Sequence, residues 1–115
     1  MSHRKLNPSL KRQITKTLAQ TLADFKNLKE VYIFLENFFT DSEKETFAKR
    51  LAVAYWLKKS RSYANIKQNL KVSSATIAEI SSLMKTPGFQ LALKKIEAEE
   101  WANQWAEKIK KFVGS

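Results

Sequence analysis

Residues 62–85 carry the pattern that most constrains the fold of this chain. Two short stretches there follow a serine, Ser62 and Ser73, and serine commonly caps the first turn of an α-helix. Branched aliphatic residues recur where two short helices crossing at a tight turn would share a core: Ile66, Leu70, Val72, Ile77 and Ile80. This pattern predicts a helix-turn-helix, with helices over residues 63–70 and 73–85 joined by a turn at residues 71–72.

Two residues depart from the usual helix-turn-helix pattern. Lys71 occupies the turn position where glycine is commonest, because that position usually needs a positive φ. Lys67 occupies a place where a small residue usually packs between the helices, although its aliphatic stem can lie along the partner helix. Chance packing of two short helices, and a helix-turn-helix used for protein contacts alone, remain open alternatives.

The rest of the chain also has helical spacing. Two glycines and two prolines in 115 residues disfavour a β fold rich in tight turns, so a single all-α domain over residues 1–115 is predicted. Residues 1–6 are expected to form a mobile basic arm, and Asn7-Pro8 to start the first helix. An apolar stripe follows, made of Leu10, Ile14, Leu18, Leu22 and Phe25.

Three further helices are predicted from local signals. Residues 28–39 are apolar on nearly all sides, which favours a helix buried on nearly all sides over a strand. Thr40 and Glu43 form a capping box that starts a third helix ending near Lys59. Its inward-facing residues are expected to be Phe47, Leu51, Ala54 and Leu57. The sequence Thr86-Pro87-Gly88 separates the helix-turn-helix from a last helix over residues 89–113.

The charge distribution points to a polyanionic partner. The chain has a net charge of +10, and no acidic residue occurs from Thr46 to Ala78. Basic residues near the helix-turn-helix are therefore predicted to hold DNA phosphates: Lys58, Lys59, Arg61, Lys67 and Lys71. With Ile77 and Ile80 turned inward, the outward face of the second helix is predicted to meet base edges. That face consists of Ser73, Ser74, Ala75, Ala78 and Glu79.

These segments resemble the Trp repressor-like family, and its small YerC/YecD-type branch more than the tryptophan-responsive repressor. The residues that carry the resemblance are Thr40, Glu43, Arg50-Leu51, Val53-Ala54, Leu57, Arg61, Tyr63, Ile66, Ser74-Ala75-Thr76-Ile77, Gly88-Phe89 and Leu93. They span about residues 28–97. The resemblance implies an intertwined all-helical homodimer that controls transcription by binding double-stranded operator DNA.

The resemblance does not extend to the whole tryptophan site. Arg50 and Thr76 match the family's ligand pocket in part. The family's recognition-helix arginine falls at Glu79, whose carboxylate would repel the ligand's carboxylate, and the adjacent glycine falls at Ile80, which would fill the indole space. We therefore expect no response to tryptophan, and leave any other small-molecule ligand open.

The sequence lacks the residue patterns expected of an enzyme, a metal-binding protein or a membrane protein. The sequence has no cysteine, no phosphate-cradling glycine-rich loop and no nucleophile beside a plausible base, so neither an enzyme nor a cofactor is predicted. The single histidine, His3, makes a metal site unexpected. No signal peptide or membrane span is expected, which makes a cytoplasmic location the default.

Two further groups have ordinary structural explanations. Glu97, Glu99 and Glu100 are expected to pair with Lys94 and Lys95 on the same helix. Trp101 and Trp105 are expected to pack against the core or a partner subunit. The alternatives to a DNA-binding homodimer are an RNA- or ribosome-associated basic protein and an interaction module.

Overall fold

The computed structural model describes residues 5–113, a range that contains six α-helices and no β-strand. They are α1 (Pro8–Ala23), α2 (Leu28–Phe38), α3 (Asp41–Lys58), α4 (Tyr63–Leu70), α5 (Ser74–Leu83) and α6 (Pro87–Val113). The predicted all-α class is confirmed. In the described range, no helix combines the length and the apolar character needed to cross a membrane. Residues 1–4 of the predicted arm lie outside the described residues.

The chain divides into two compact units, one up to Lys44 and one from Glu45 onwards. In the first unit, the Asn7 side chain accepts hydrogen bonds from the backbone N–H groups of Ser9 and Leu10, at 2.8 and 3.4 Å. Pro8 occupies the first turn, where a missing N–H leaves no intrahelical bond unmade. The local signal for the start of α1 is thus confirmed.

α2 is a helix, as predicted, but it is not buried. Its N-terminus is capped by Asn27, which accepts from the Glu30 N–H at 3.0 Å. Phe34 stacks on Phe38 with ring centroids 4.6 Å apart and lies 5.1 Å from Phe25. Nevertheless no residue of α2 is fully buried, and Leu28 is 68% exposed. The expectation of burial on nearly all sides is wrong for one chain, because the first unit has too few helices to surround α2.

The predicted capping box starts α3. The Glu43 backbone N–H donates to Thr40 Oγ1 at 3.1 Å, and the Thr40 N–H donates to Glu43 Oε1 at 2.9 Å. Two N–H groups that have no intrahelical acceptor are thereby satisfied. The boundary between α2 and α3 is therefore set by side chains that lie within four residues of one another.

The core of the second unit joins α3, α4, α5 and α6. Its fully buried side chains are Val53, Ala54, Ile66, Ile77, Ile80 and Leu93. Leu70 and Val72 pack against them and are partly buried, so all five aliphatic residues of the predicted helix-turn-helix face this core. Phe47 and Leu51, which were expected to face inward, are 48% and 38% exposed. Both lie one to two helical turns before Ala54 on its side of α3, and the core covers α3 only from Val53 onwards.

The turn between α4 and α5 requires a left-handed residue. Lys71 has φ 55° and ψ 49°, and its N–H donates to the Lys67 carbonyl at 3.1 Å. A residue with a Cβ is strained by roughly 1–2 kcal/mol in this conformation. Ser62 and Ser73 cap the two helices, accepting from the N–H groups of Asn65 and Thr76 at 3.1 Å each. α5 ends two residues before the predicted Lys85, and α6 begins two residues before Phe89.

Replacing Lys71 by glycine should stabilise the protein. Glycine removes the left-handed strain, and its greater freedom in the unfolded chain offsets part of the gain, so we expect about 0.5–1 kcal/mol. Denaturant unfolding measures the change. As a control, Lys67→Gly in α4 loses the same charge but should destabilise by about 1 kcal/mol. Equal destabilisation by both substitutions would contradict the role of the turn.

Candidate nucleic-acid interface

The outward face of α5 is open to solvent. Ile77 and Ile80 are 0% and 1% exposed, so α5 can present its other side outward. The side chains predicted to meet base edges are all exposed: Ser73, Ser74, Ala75, Ala78 and Glu79. They are short except for Glu79, which lets a helix approach a groove floor closely. Exposure makes contact with DNA sterically available, and the role of each residue remains a prediction.

The two serines of this face differ in their hydrogen bonds. Ser73 Oγ accepts from the Thr76 N–H at 3.1 Å and lies 3.0 Å from Thr76 Oγ1, so its hydroxyl is engaged in the helix cap. The hydroxyl of Ser74 has no hydrogen-bond partner within residues 5–113, and the carboxylate of Glu79 has no ion-pair partner there. Ser74 and Glu79 are therefore the side chains of this face whose polar groups are available to a ligand.

Lys67 lies on α4, and Lys71 lies in the turn that leads into α5. Both side chains are exposed, and neither forms an ion pair with any described residue. Arg61 is held more firmly: its guanidinium lies 4.1 Å from the centroid of the Trp56 ring, and it donates to Asn65 Oδ1 at 3.4 Å. A cation stacked on indole keeps its charge while its orientation is restricted. Arg61 lies before α4, Lys67 lies on it and Lys71 is its C-terminal cap.

Lys58 and Lys59 are paired with carboxylates of α6. Lys58 Nζ bonds Glu97 Oε1, and Lys59 Nζ lies 3.4 Å from Glu100 Oε1. The prediction that Glu97 and Glu100 pair with Lys94 and Lys95 is therefore wrong. Because α6 packs beside the end of α3, its carboxylates reach across to another helix. Two of the five cations predicted to hold phosphates thus already have an anionic partner.

Tyr55 completes this network by donating a hydrogen bond from its hydroxyl to Glu100 Oε2. That bond, followed by the nearby Lys59 charge, lowers the pKa of Glu100 below its ordinary value. The Glu100 charge raises the pKa of Lys59. The hydrogen bond to Glu100 also raises the pKa of Tyr55. Each partner therefore holds the others in the ionisation state that keeps α3 and α6 together.

Tyr55→Phe should raise the pKa of Glu100 toward the ordinary carboxyl value, because the largest cause of the shift is removed. A carboxyl whose folded pKa is depressed contributes stability above its unfolded pKa, and this contribution is lost as the pH falls through the folded value. The stability gap between wild type and Tyr55→Phe should therefore narrow on acidification. NMR titration of the Glu100 side-chain carbon measures the pKa directly. An unchanged Glu100 pKa would contradict the network.

The match of Arg50 and Thr76 to the family's ligand pocket remains a prediction. Arg50 borders an open depression of about 330 Å³, but Thr76 does not. Its lining is Phe47, Arg50, Leu51, Gly88, Phe89 and Ala92. Ile80 is buried in the core and Glu79 is exposed, so neither residue borders this depression. Arg50 is thus the single cationic side chain along its wall.

No group of three or more histidine, cysteine, aspartate or glutamate residues suited to a metal ion occurs among residues 5–113. His3 lies outside the described residues. Sequence reasoning missed the cross-helix pairs of Lys58 and Lys59, because nothing in the local spacing shows which helix faces α6. The one available signal was the contrast between the acid-free segment over residues 46–78 and the glutamates that begin at Glu97.

Comparison with known proteins gives three findings. Residues 13–97 match the family model for "Trp repressor protein". The chain is 27% identical over 85 residues to "Uncharacterized protein YerC" of Bacillus subtilis (strain 168), which covers 72% of this chain and 82% of that protein. It is similar to the crystal structure of "a putative Trp repressor" from Staphylococcus aureus. That match has a TM-score of 0.67 and 24% identity, and it covers 74% of this chain and 87% of the other. At 24% identity this match shows a similar fold and nothing more.

Proposed function

The chain belongs to the Trp repressor family, and from this membership together with the exposed face of α5 we propose that it is a transcriptional regulator that binds specific double-stranded DNA sequences as a homodimer. The resemblance seen in the sequence and the Trp repressor-like fold are both confirmed. The observation that carries the proposal is the pairing of a buried Ile77–Ile80 side with an exposed serine-and-alanine side on one short capped helix.

In this proposal α5 enters the major groove with its N-terminal residues. Ser74 can donate to or accept from a base edge, Ala75 and Ala78 can contact a thymine methyl, and Glu79 can accept from cytosine N4. Ser73 helps chiefly by fixing the start of the helix, since its hydroxyl already caps Thr76. None of these side chains is an arginine or glutamine, so sequence-dependent DNA shape and bridging water contribute to the preference.

Phosphate contacts come in two groups. Lys67 and Lys71 have no ion pairs among the described residues and can hold phosphates directly, with Arg61 beside them. Lys58 and Lys59 first have to exchange a glutamate of α6 for a phosphate. Exposed ion pairs contribute about 0–1 kcal/mol each, so the exchange is within reach of a DNA backbone. These contacts supply affinity and position, and the α5 face supplies sequence choice.

The apolar surface of the first unit supports a homodimer. Leu10, Ile14, Leu18 and Leu22 of α1 are each 41–48% exposed, and Leu28, Tyr32 and Phe38 of α2 are more exposed still. A second copy can cover both helices by two-fold symmetry. The same symmetry places two α5 helices on half-sites about one DNA turn apart. The family's ligand-binding arginine falls at Glu79 in this chain, and a glutamate cannot pair with the carboxylate of tryptophan. This supports a regulator that does not respond to tryptophan.

Ser74→Ala should reduce sequence choice with little effect on non-specific binding. Affinity for a selected duplex should fall by about 1–3 kcal/mol, while affinity for random duplex stays the same. Fluorescence anisotropy at fixed salt measures both. Ser82→Ala is the matched control, since that hydroxyl bonds the Glu79 carbonyl at 2.6 Å within the same helix.

By contrast, Lys67→Ala should weaken binding to every duplex and lower the salt slope by about one unit.

Competition decides between this proposal and its alternatives. If single-stranded RNA displaces the protein from labelled duplex better than duplex DNA does at equal salt, an RNA-binding function replaces the proposal. If the protein binds neither polymer above the background of an inert protein, the helix-turn-helix is an interaction module. The half-buried Trp56, covered by Arg61, is unavailable for base stacking, which weighs against single-stranded ligands.

Glu97→Gln should strengthen binding to all duplexes. The substitution frees Lys58 from its carboxylate, so one more cation meets the phosphates and the salt slope should steepen by about one unit. Titrations at three or more salt concentrations measure the slope. Glu99→Gln removes the same charge from α6, but Glu99 has no ion pair among the described residues and should give a smaller effect. Equal effects of the two substitutions would show that Lys58 does not contact phosphate.

A further inference from the structure

α6 is longer than the second unit can cover. The pair between Glu100 and Lys59 lies at the C-terminal end of α3, which finishes at Lys58. α6 nevertheless continues to Val113, so its last 13 residues extend roughly 20 Å further at the helical rise of 1.5 Å per residue. This overhang, residues 101–113, also lies beyond residue 97, where the match to the family model ends.

Large apolar side chains of the overhang are exposed to solvent. Trp101 is 63% exposed, Trp105 48% and Ile109 56%. Of the two packing partners expected for these tryptophans, the core of the same chain is excluded, and a partner subunit stays a prediction. At about 100° per residue, these three side chains fall within about 80° of one another, and they lie about 80°, 120° and 160° around the helix from the buried Leu93. The stripe therefore faces away from the core and is not a continuation of the side that packs on α3.

Charge changes sign along the same part of α6. Residues 96–107 contain four glutamates and no lysine or arginine, whereas Lys108, Lys110 and Lys111 follow with no acidic residue among them. Two parallel copies would set like charges side by side. Two antiparallel copies would set the acidic part of each beside the basic end of the other, which is the favourable arrangement.

We propose that the overhang of α6 pairs, antiparallel, with the overhang of a second copy of this chain. A two-fold axis near Trp105 sets Trp101 of each copy against Ile109 of the other, and the basic end of each helix runs alongside the acidic part of its partner. The pattern is thus complementary to itself, as an interface between identical chains requires.

The pairing rests on the homodimer of the proposed function, because its area is small. About 20 Å of helix from each chain falls short of the roughly 1,200–2,000 Å² that a specific stand-alone interface buries. Within a homodimer the two overhangs are held at high effective concentration, so a modest contact can reinforce the assembly. Tryptophan is the residue type whose loss from such a contact weakens binding most.

The first test removes the indoles. Trp101→Ala with Trp105→Ala should raise the dimer dissociation constant at least tenfold, measured by sedimentation equilibrium without DNA. Asn103→Ala, about 160° around the helix from either tryptophan, should leave it unchanged. Circular dichroism shows whether α6 stays helical. If the double variant keeps both its helicity and the wild-type dissociation constant, the pairing is wrong.

The second test does not depend on destabilising the chain. The sequence contains no cysteine, so single cysteines can be introduced without competing thiols. Ala106→Cys lies next to the proposed axis and should form a covalent dimer with a short bifunctional thiol reagent. Ala98→Cys, whose copies would be roughly 21 Å apart along the pair, should not, and neither should Asn103→Cys on the opposite face. Linkage of Ala98→Cys instead would indicate parallel helices and overturn the proposal.

The experiments distinguish a failure of the homodimer from a failure of the α6 pairing. If wild-type protein sediments as a monomer, the homodimer and the pairing are both wrong. If it is a dimer that binds DNA but Ala106→Cys is not linked, the pairing alone is wrong. If Ala106→Cys is linked at a rate independent of protein concentration, the contact lies within the homodimer, as proposed.

Discussion

Ile66, Ile77 and Ile80 share one small core with Val53, Ala54 and Leu93, and the geometry of α4 and α5 depends on that shared burial. A two-helix motif of 8 and 10 residues is too short to be stable by itself. The flanking helices α3 and α6 supply the remaining walls, so the crossing of α4 and α5 is fixed by residues outside the motif. Because the apolar side of α5 is buried in this core, the opposite side of the helix is the one exposed to solvent. The function proposed for Ser74 and Glu79 is therefore a consequence of packing.

The electrostatics of the second unit are balanced between two helices. α3 ends in Lys58 and Lys59, and α6 places Glu97 and Glu100 against them, with Tyr55 holding Glu100 ionised. This arrangement stabilises the contact between α3 and α6 while it neutralises part of the basic surface. In the proposed function, a polyanion that approaches α5 would meet Lys67 and Lys71 without displacing another group, and would gain Lys58 and Lys59 by displacing carboxylates. Affinity for phosphates and internal stability thus draw on the same lysines.

Sequence reasoning succeeded where a hydrogen bond or a repeat is local. Asn7, the Thr40–Glu43 box, Ser62 and Ser73 were all identified as caps because each bonds an N–H within three residues. It failed where the answer depends on distant elements. The exposure of α2, the exposure of Phe47 and the partners of Glu97 depend on which helices lie alongside, and no local spacing records that. The exposed face of α5 was predictable, since it is the complement of an apolar pattern, whereas its contacts with DNA are proposals.

The central claim is that two copies of α5 read DNA in adjacent major grooves. Selection of bound duplexes from a random pool, followed by sequencing, tests it most directly. We expect enrichment of an inverted repeat whose half-sites have centres about 10–10.5 base pairs apart, or a multiple of this. A pool that shows no enriched sequence after selection, although the protein retains its fold, would contradict the claim.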